Sequence, residues 1–502
     1  MMKSVIEYLE LSEKSFPDKT AVVDEHKKLT YSELADYSRR VGGRLVGHIK
    51  KSEPVAVYME KSAETLCAFF GIVYAGGCYS LLNTELPEGR IRSIIEVLSP
   101  NVIITSEELY PRALCLFKGK VILRIDELMT APLPDSLYCR RFDVDPLYIN
   151  FTSGSTGVPK GIVVGNRSVL DFIDCFTDTF SICSDDIIAN QAPFDFDVSV
   201  KDIYSALKVG ATLVIVPRRM FTAPVELVEF LVEHNVTTMI WAVSALCLLS
   251  TFHAFDYKTP STINKILFSG EVMPLKHLNT FRKHLPEAMF VNLYGPTEIT
   301  CNCTYHILDK NVDYADGIPI GIPFENEDVF LLDESDKRIE AVDCTGEICV
   351  RGTALALGYY SAPEQNKKSF VQNPLNPRYP EIIYRTGDLG KFNKDGELVF
   401  CGRKDFQIKY LGHRIELEEI ERAIAAIDGV ERCCCIFDEK RSRLKGFYMG
   451  EIDKEELNSV MKKTFPSFMI PGVIKKVDNM PLTKNGKIDR KALAEISGGS
   501  KA

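Results

Sequence analysis

Short, fully apolar runs alternate with longer amphipathic stretches through most of this chain, and that alternation limits the folds open to it. PVAVYM is followed by AETLCAFFGIVYAG, ATLVIVP by PVELVEFLVEHN, and NVIIT is a further short run. A run that is apolar at every position suits a strand buried on both faces, and the amphipathic stretch after it suits a helix returning across the sheet. Parallel strands need such crossovers, so the pattern predicts βαβ units and a largely parallel α/β sheet. After about residue 325 the texture changes to short strands with turn signals: DVFLLDE, GEICVRG and KFNKDGELVF, whose Asp395-Gly396 pair predicts a hairpin. A helix is expected over 415–427, closed by Asp428-Gly429, then a strand ERCCCIF, a charged turn and a strand LKGFYM. The expectation is a large N-terminal domain over 1–402 with parallel-rich βα sheets and a small β-barrel-like subdomain. A small α+β domain over 406–502 follows it, with the boundary near 402–405.

Length and composition narrow the function classes. The 502 residues leave room for two to four domains, and 45% hydrophobic with 26% charged residues is ordinary for a globular protein. A net charge of −9 argues against a general nucleic-acid-binding surface. The N-terminus lacks a basic region followed by an apolar stretch, so no secretory leader is expected. The longest stretch without Asp, Glu, Lys or Arg is 234–255, and its strongly apolar part is only 239–249. A membrane span needs about 20 mostly apolar residues, so a buried strand and a packed helix are expected there. Fifteen cysteines include no CxxC pair, and Cys301-x-Cys303 is too tight for the usual zinc spacing. Reduced thiols serving as small apolar fillers, in a cytoplasmic protein, are the expectation.

The sharpest local signal is Phe151-Thr-Ser-Gly-Ser-Thr-Gly-Val-Pro-Lys-Gly161, directly after the strand-like LYIN. Glycines let backbone N–H groups approach phosphate oxygens, and hydroxyls add donors without bulk. On composition alone a flexible Ser/Gly loop explains it equally well. The string resembles the phosphate-binding signature of the adenylate-forming superfamily, which holds acyl-CoA synthetases, luciferases and amino-acid adenylation domains. Further motifs follow in the family's order: Leu29-Thr-Tyr-Ser-Glu-Leu34, Tyr294-Gly-Pro-Thr-Glu298, Gly346-Glu-Ile-Cys-Val-Arg-Gly352, Tyr384-Arg-Thr-Gly-Asp388, Gly402-Arg-Lys-Asp-Phe-Gln-Ile-Lys409, Gly412-His-Arg-Ile-Glu-Leu417 and Asn485-Gly-Lys-Ile-Asp-Arg490. The wording is closest to free-standing D-alanine–carrier protein ligases and to the adenylation domains of nonribosomal peptide synthetases.

The resemblance implies a two-step reaction: a carboxylate attacks the α-phosphate of Mg·ATP, and a thiol then takes the acyl group. Both steps move charge between oxygens, so cations and aligned donors are needed more than a nucleophile. It implies that Thr152, Ser153, Gly154, Ser155, Thr156, Gly157 and Lys160 cradle the β- and γ-phosphates. Tyr294, in the turn Tyr294-Gly295-Pro296, would stack on adenine while Asn292 bonds its edge. Thr297 would donate to the α-phosphate, Glu298 would ligate Mg²⁺, Asp388 would hold the ribose hydroxyls, and Arg403 would contact ribose or phosphate. Lys487 is the implied catalytic residue, bridging the substrate carboxylate and the α-phosphate. Asp405 is the implied hinge, and the loop at Gly412 would line the thiol channel after the small domain turns.

For the acyl pocket the resemblance implies Asp197, Val198, Lys201, Ile240, Leu267, Ser269, Leu293, Cys301, Asn302 and Lys487. Asp197 would pair with the substrate ammonium, a role favoured over a cap for the helix that begins nearby because the following VSV-x-D-I-Y-S-A-L continues the match. Lys201 points either to solvent or to a polar or acidic substrate side chain. The set favours a small amino acid, with D-alanine one candidate, although Ser269 and Lys201 depart from the D-alanine pattern. A phosphopantetheinylated carrier protein is the implied partner. Nine residues follow Leu493, so the carrier is expected in trans, and a monomer is typical of the resembled family. An acyl- or aryl-CoA synthetase, and a non-catalytic nucleotide- or carrier-binding homologue, are the competing readings.

Overall fold

The computed structural model describes residues 2–134, 141–152, 158–405, 407–438, 441–482 and 488–498. The chain divides into two compact units: Met1–Thr84, Leu98–Asn150 and Gly161–Lys404 form one, and Glu85–Val97, Phe151–Lys160 and Asp405–Ala502 the other.

The large unit is built on two α/β sheets. In the nine-stranded sheet, Met289–Tyr294, Lys265–Ser269, Thr238–Ala242, Ile187–Asn190, Thr212–Ile215 and Thr20–Val23 run parallel in that order, with antiparallel strands at both edges. The seven-stranded sheet carries Pro54–Tyr58 between Cys78–Leu81 and Val102–Thr105, all parallel. The expected βα alternation is present: Ala63–Tyr74 follows Pro54–Tyr58, and Pro224–Glu233 follows Thr212–Ile215. One apolar core joins both sheets through helices Ile6–Ser15, Tyr31–Leu45, Ala63–Tyr74, Asn166–Thr179 and Val198–Val209. Ala63–Tyr74 is apolar nearly all round because it is enclosed on every side, with each of its residues except Glu64 buried. A second core, containing Trp241, Leu246, Phe268 and Phe281, lies under Pro224–Glu233, Val243–Thr251 and Leu275–His284. Of the uncharged stretch, Thr238–Ala242 is a strand and Val243–Thr251 a helix, and no helix among the described residues is long and apolar enough to cross a membrane.

The Thr-x-x-Glu within the Leu29-to-Leu34 motif has a local cause. Thr30 caps the helix Tyr31–Leu45 by accepting from the Glu33 amide, while the Glu33 carboxylate accepts from the Thr30 amide at 2.8 Å. The barrel-like piece is a six-stranded antiparallel sheet, in which Ile382–Phe392 pairs with Leu398–Arg403 across the Asp395-Gly396 turn, with Gly396 at φ 79°.

In the small unit, Val430–Asp438, Arg443–Gly450 and Val473–Lys476 form one sheet, and Gln407–Tyr410 pairs with His413–Glu416. The helix expected over 415–427 spans only Leu417–Ala425. The hairpin turn at Leu411 and Gly412, with φ 52° and 79°, draws Ile415 and Glu416 into strand pairing before the helix begins. Gly429, at φ 87°, makes the expected stop. Cys433 and Cys435 face one core and Cys434 another, as strand alternation requires, and all three thiols are free.

Candidate active site

The strand Met289–Tyr294 organises the site in the large unit. Its neighbour pairs Ser269 with Leu293 and Leu267 with Val291, and the next strand pairs Ile240 with Leu267. Ile240, Leu267, Ser269 and Leu293 therefore lie on one face of the sheet, while Asn292 and Tyr294 lie on the other. The buried Asn292 amide donates to the Pro319 carbonyl at 2.8 Å. The Tyr294 hydroxyl donates to Asp388 Oδ2 at 2.5 Å, and Arg403 donates to Asp388 Oδ1. Asp388 and Arg403 are register partners on adjacent strands, so the sheet itself sets them side by side. Burial, and then the Asp388 charge, hold the Tyr294 phenol protonated well beyond its ordinary range. A buried carboxylate accepting from two donors, with lone pairs to spare, is a fixed acceptor suited to a diol.

After Tyr294 the chain doubles back sharply. A Cβ on Gly295 would stand 2.5 Å from Asn302 Cα and 2.8 Å from the Cys301 carbonyl oxygen, so only glycine fits. Pro296 leads into the 3₁₀ turn Thr297–Ile299. Glu298 is buried there, its Oε1 accepting from the Tyr359 hydroxyl at 2.7 Å. Thr300 and Cys301 follow at φ 48° and 77°, a region that costs a non-glycine residue energy. The Thr300 hydroxyl donates to the Ala354 carbonyl at 2.7 Å and the Cys303 amide to the Tyr294 carbonyl at 2.8 Å, and together these hold the reversal.

Helix Val198–Val209 supplies the other wall. Asp197 precedes it with helical dihedrals, φ −60° and ψ −26°, and its side chain makes no capping hydrogen bond. The helix-cap reading of Asp197 is thus not what the fold uses. Cys301 Sγ donates to the Asp197 carbonyl at 3.0 Å. Lys201 does not point to solvent: it is buried, and its ammonium donates to Asn302 Oδ1 at 2.7 Å and Ser269 Oγ at 3.2 Å. The helix presents this position to the sheet, so the long side chain ends between Ser269 and Asn302. Val198, half-buried, opens the same helix.

Behind this wall lies a polar cluster that no motif signalled. Asn190 donates to Asp202 Oδ2 at 2.7 Å, and the half-buried Lys61 donates to the Gln191 carbonyl at 3.0 Å and to Asn190 Oδ1 at 3.3 Å. Asp202 Oδ1 is buried without a hydrogen-bond partner. Burial pushes the Asp202 carboxyl up to about 8 against the pull of Asn190, Lys201 and Lys61, and it brings Lys61 down to about 7. The one available clue was the Lys201-Asp202 pair in a helix whose only other charged residue is Lys208 in its last turn.

Other expected residues lie in or beside the small unit. Thr152 ends the strand Pro146–Thr152, and Lys160 lies 3.6 Å from Glu416. Ser153, Gly154, Ser155, Thr156, Gly157 and Lys487 fall outside the described residues. Leu482 and Ile488 form a β-bridge, and Arg490 grips Glu421 through two nitrogens at 2.5 and 2.9 Å. Asp405 Oδ1 accepts from the Gln407 amide at 3.1 Å, and Gly412 occupies the tight turn noted above. Among the described residues no three His, Cys, Asp or Glu side chains form a preformed metal cage. Mg²⁺ needs no such cage, since one or two carboxylates and phosphate oxygens suffice, and the anchored Glu298 fits that ligand set.

The comparisons agree with this architecture. The AMP-binding enzyme family matches residues 9–360, and the AMP-binding enzyme C-terminal domain matches residues 419–487. Zwittermicin A synthase ZmaJ of Bacillus cereus is 33% identical over 492 residues, covering 95% of this chain and 92% of that protein. Tyrocidine synthase 1 of Brevibacillus parabrevis is 30% identical, covering 98% of this chain but only 45% of its own length. Bacitracin synthase 1 of Bacillus licheniformis is 31% identical over 98% of this chain and 9% of its own length. Among solved structures, IdnL1 superposes with a TM-score of 0.80 at 26% identity, covering 96% of this chain and 98% of that one. The fold is also that of holo-PA1221, a nonribosomal peptide synthetase protein with adenylation and PCP domains, at a TM-score of 0.84 and 24% identity over 98% of this chain and 84% of that one. The chain belongs to the AMP-binding enzyme family and is an adenylate-forming enzyme of the nonribosomal-peptide adenylation type.

Proposed function

We propose that this protein activates a small amino acid as its aminoacyl adenylate and passes the acyl group to the phosphopantetheine thiol of a separate carrier protein. The observation that carries the reading is the division of strand Met289–Tyr294. Asn292 and Tyr294 join Asp388 and Arg403 on one face, and Leu293 joins Ile240, Leu267 and Ser269 on the other. ATP would lie with its ribose on Asp388 and its adenine against Tyr294. The amino acid would lie in the second set with its ammonium on Asp197. Gly295 and Pro296 lead from this strand into the turn Thr297–Ile299, and on this reading Thr297 would donate to the α-phosphate. Mg²⁺ held by Glu298 would neutralise phosphate charge.

Thr152 to Gly157 and Lys160 are proposed to wrap the β- and γ-phosphates, and Lys487 to stabilise the charge that develops as the carboxylate attacks. Asp405 is proposed as the hinge that exchanges Lys487 for the Gly412 turn between half-reactions. D-alanine remains a candidate substrate within this reading. The deciding measurement is amino-acid-dependent ATP–pyrophosphate exchange across both alanine enantiomers, serine, cysteine, aspartate, glutamate and simple carboxylic acids. Exchange with an amino acid, lost in Lys487→Ala, is the expected result. Exchange only with simple carboxylic acids would favour a CoA synthetase, and none at all a non-catalytic homologue.

A further inference from the structure

Lys201 is the least expected member of the acyl pocket. Removing an ammonium from water is costly unless its new surroundings compensate it. Lys201 is nonetheless buried, on the helix face that reaches Ser269. Its position is imposed from two sides. Asn302 holds the ammonium at 2.7 Å, and the adjacent Cys301 is tied to the Asp197 backbone at 3.0 Å. The strained Thr300–Cys301 reversal thereby clamps two points of one helix edge, four residues apart. Residues so spaced on a helix are neighbours on one side, about 5–6 Å apart at Cβ. Asp197 and Lys201 thus present a negative and a positive charge one helical turn apart, with Ser269 and Asn302 bonded to the positive one and the Asp202 carboxyl next to it in the chain.

We infer that the pocket selects an amino acid with an acidic side chain of aspartate or glutamate size, its α-ammonium meeting Asp197 and its side-chain carboxylate meeting Lys201. This rests on the adenylation reading above. An acidic α-amino acid carries the same two charges in the complementary order over a few bonds. Alanine would set a methyl group against the buried ammonium, and a site built for a charged partner rejects an analogue that lacks it. Ser269 and Asn302 complete the subsite as hydrogen-bonding neighbours of the incoming carboxylate.

The test uses the full chain in ATP–pyrophosphate exchange with both enantiomers of aspartate, glutamate, asparagine, alanine and serine. An acidic amino acid is expected to exceed alanine in kcat/KM by at least about a hundredfold. Lys201→Met should abolish that preference by raising KM for the acidic substrate, Lys201→Arg should retain part of it, and the ATP KM should stay unchanged in both. Should Lys201→Met fail to fold by circular dichroism, the wild-type panel alone decides. Alanine or serine outperforming every acidic amino acid would overturn the inference and leave the adenylation reading standing. No exchange with any amino acid would overturn the adenylation reading and the inference with it.

Discussion

At the scale of single residues, polar side chains in this protein are fixed by partners far away in sequence. Tyr294→Phe removes one donor from the buried Asp388 carboxylate. Hydrogen bonds to charged groups contribute about 2 kcal/mol, so a stability loss of that order is expected in denaturant titration, with a several-fold rise in the ATP KM. Asp202 gives a pH dependence. Its carboxyl ordinarily titrates near 3.8 but is pushed up to about 8 in the fold, so the folded state holds the proton more tightly. Its contribution to stability is complete below the unfolded pKa and is lost as pH rises through about 8, at no more than about 1.4 kcal/mol per pH unit. Asp202→Asn keeps an acceptor for Asn190 and removes the titration. Melting at pH 5 and pH 8 should show the variant gaining on the wild type at the higher pH, and a gap independent of pH would contradict this account. Neither partnership is legible in one dimension. The Tyr294–Asp388 bond joins residues 94 positions apart, and a lysine read from composition alone defaults to solvent, which is where the expectation for Lys201 divided.

At the scale of elements, local chemistry was legible wherever a rule acts over a few residues. The strand-helix alternation, the turn at Asp395-Gly396 and the stop at Asp428-Gly429 all follow from spacing or turn residues, and each is present. The helix expected over 415–427 started late because competing strand pairing across Leu411-Gly412 claimed its first residues. Which face each residue of Met289–Tyr294 occupies was likewise settled by register, which periodicity within one strand does not supply. Gly295→Ala belongs to this scale. Its new Cβ would press on the backbone at Asn302, Cys301 and Cys303. We expect a cost of about 1–3 kcal/mol by thermal or chemical denaturation. The amino-acid KM should rise more than the ATP KM, because the displaced segment carries Cys301 and Asn302. Thr30→Ala, far from the site, should cost about 1 kcal/mol with exchange activity intact.

At the scale of the whole molecule, the chain before the divide is tied into the large unit. Arg403 is paired with Asp388, and the Lys404 ammonium reaches Glu347 at 3.0 Å while its amide donates to Gly387. The contact division falls at the next residue, Asp405. On the proposal that Asp405 is the hinge, Asp405→Pro should leave ATP–pyrophosphate exchange near wild type and abolish thioester formation on an added carrier. Equal loss of both steps would refute the assignment. The back-to-back use of strand Met289–Tyr294 also bears on how such a molecule changes over time. Because alternate residues face opposite sides, on the proposed reading a substitution at Leu293 or Ser269 would alter the amino-acid surface while the peptide plane shields the nucleotide surface. On that reading the two selectivities would be insulated by the thickness of a single strand, so the side-chain preference could drift without relearning the nucleotide. Inserting or deleting one residue in that strand would exchange the surfaces and forfeit both.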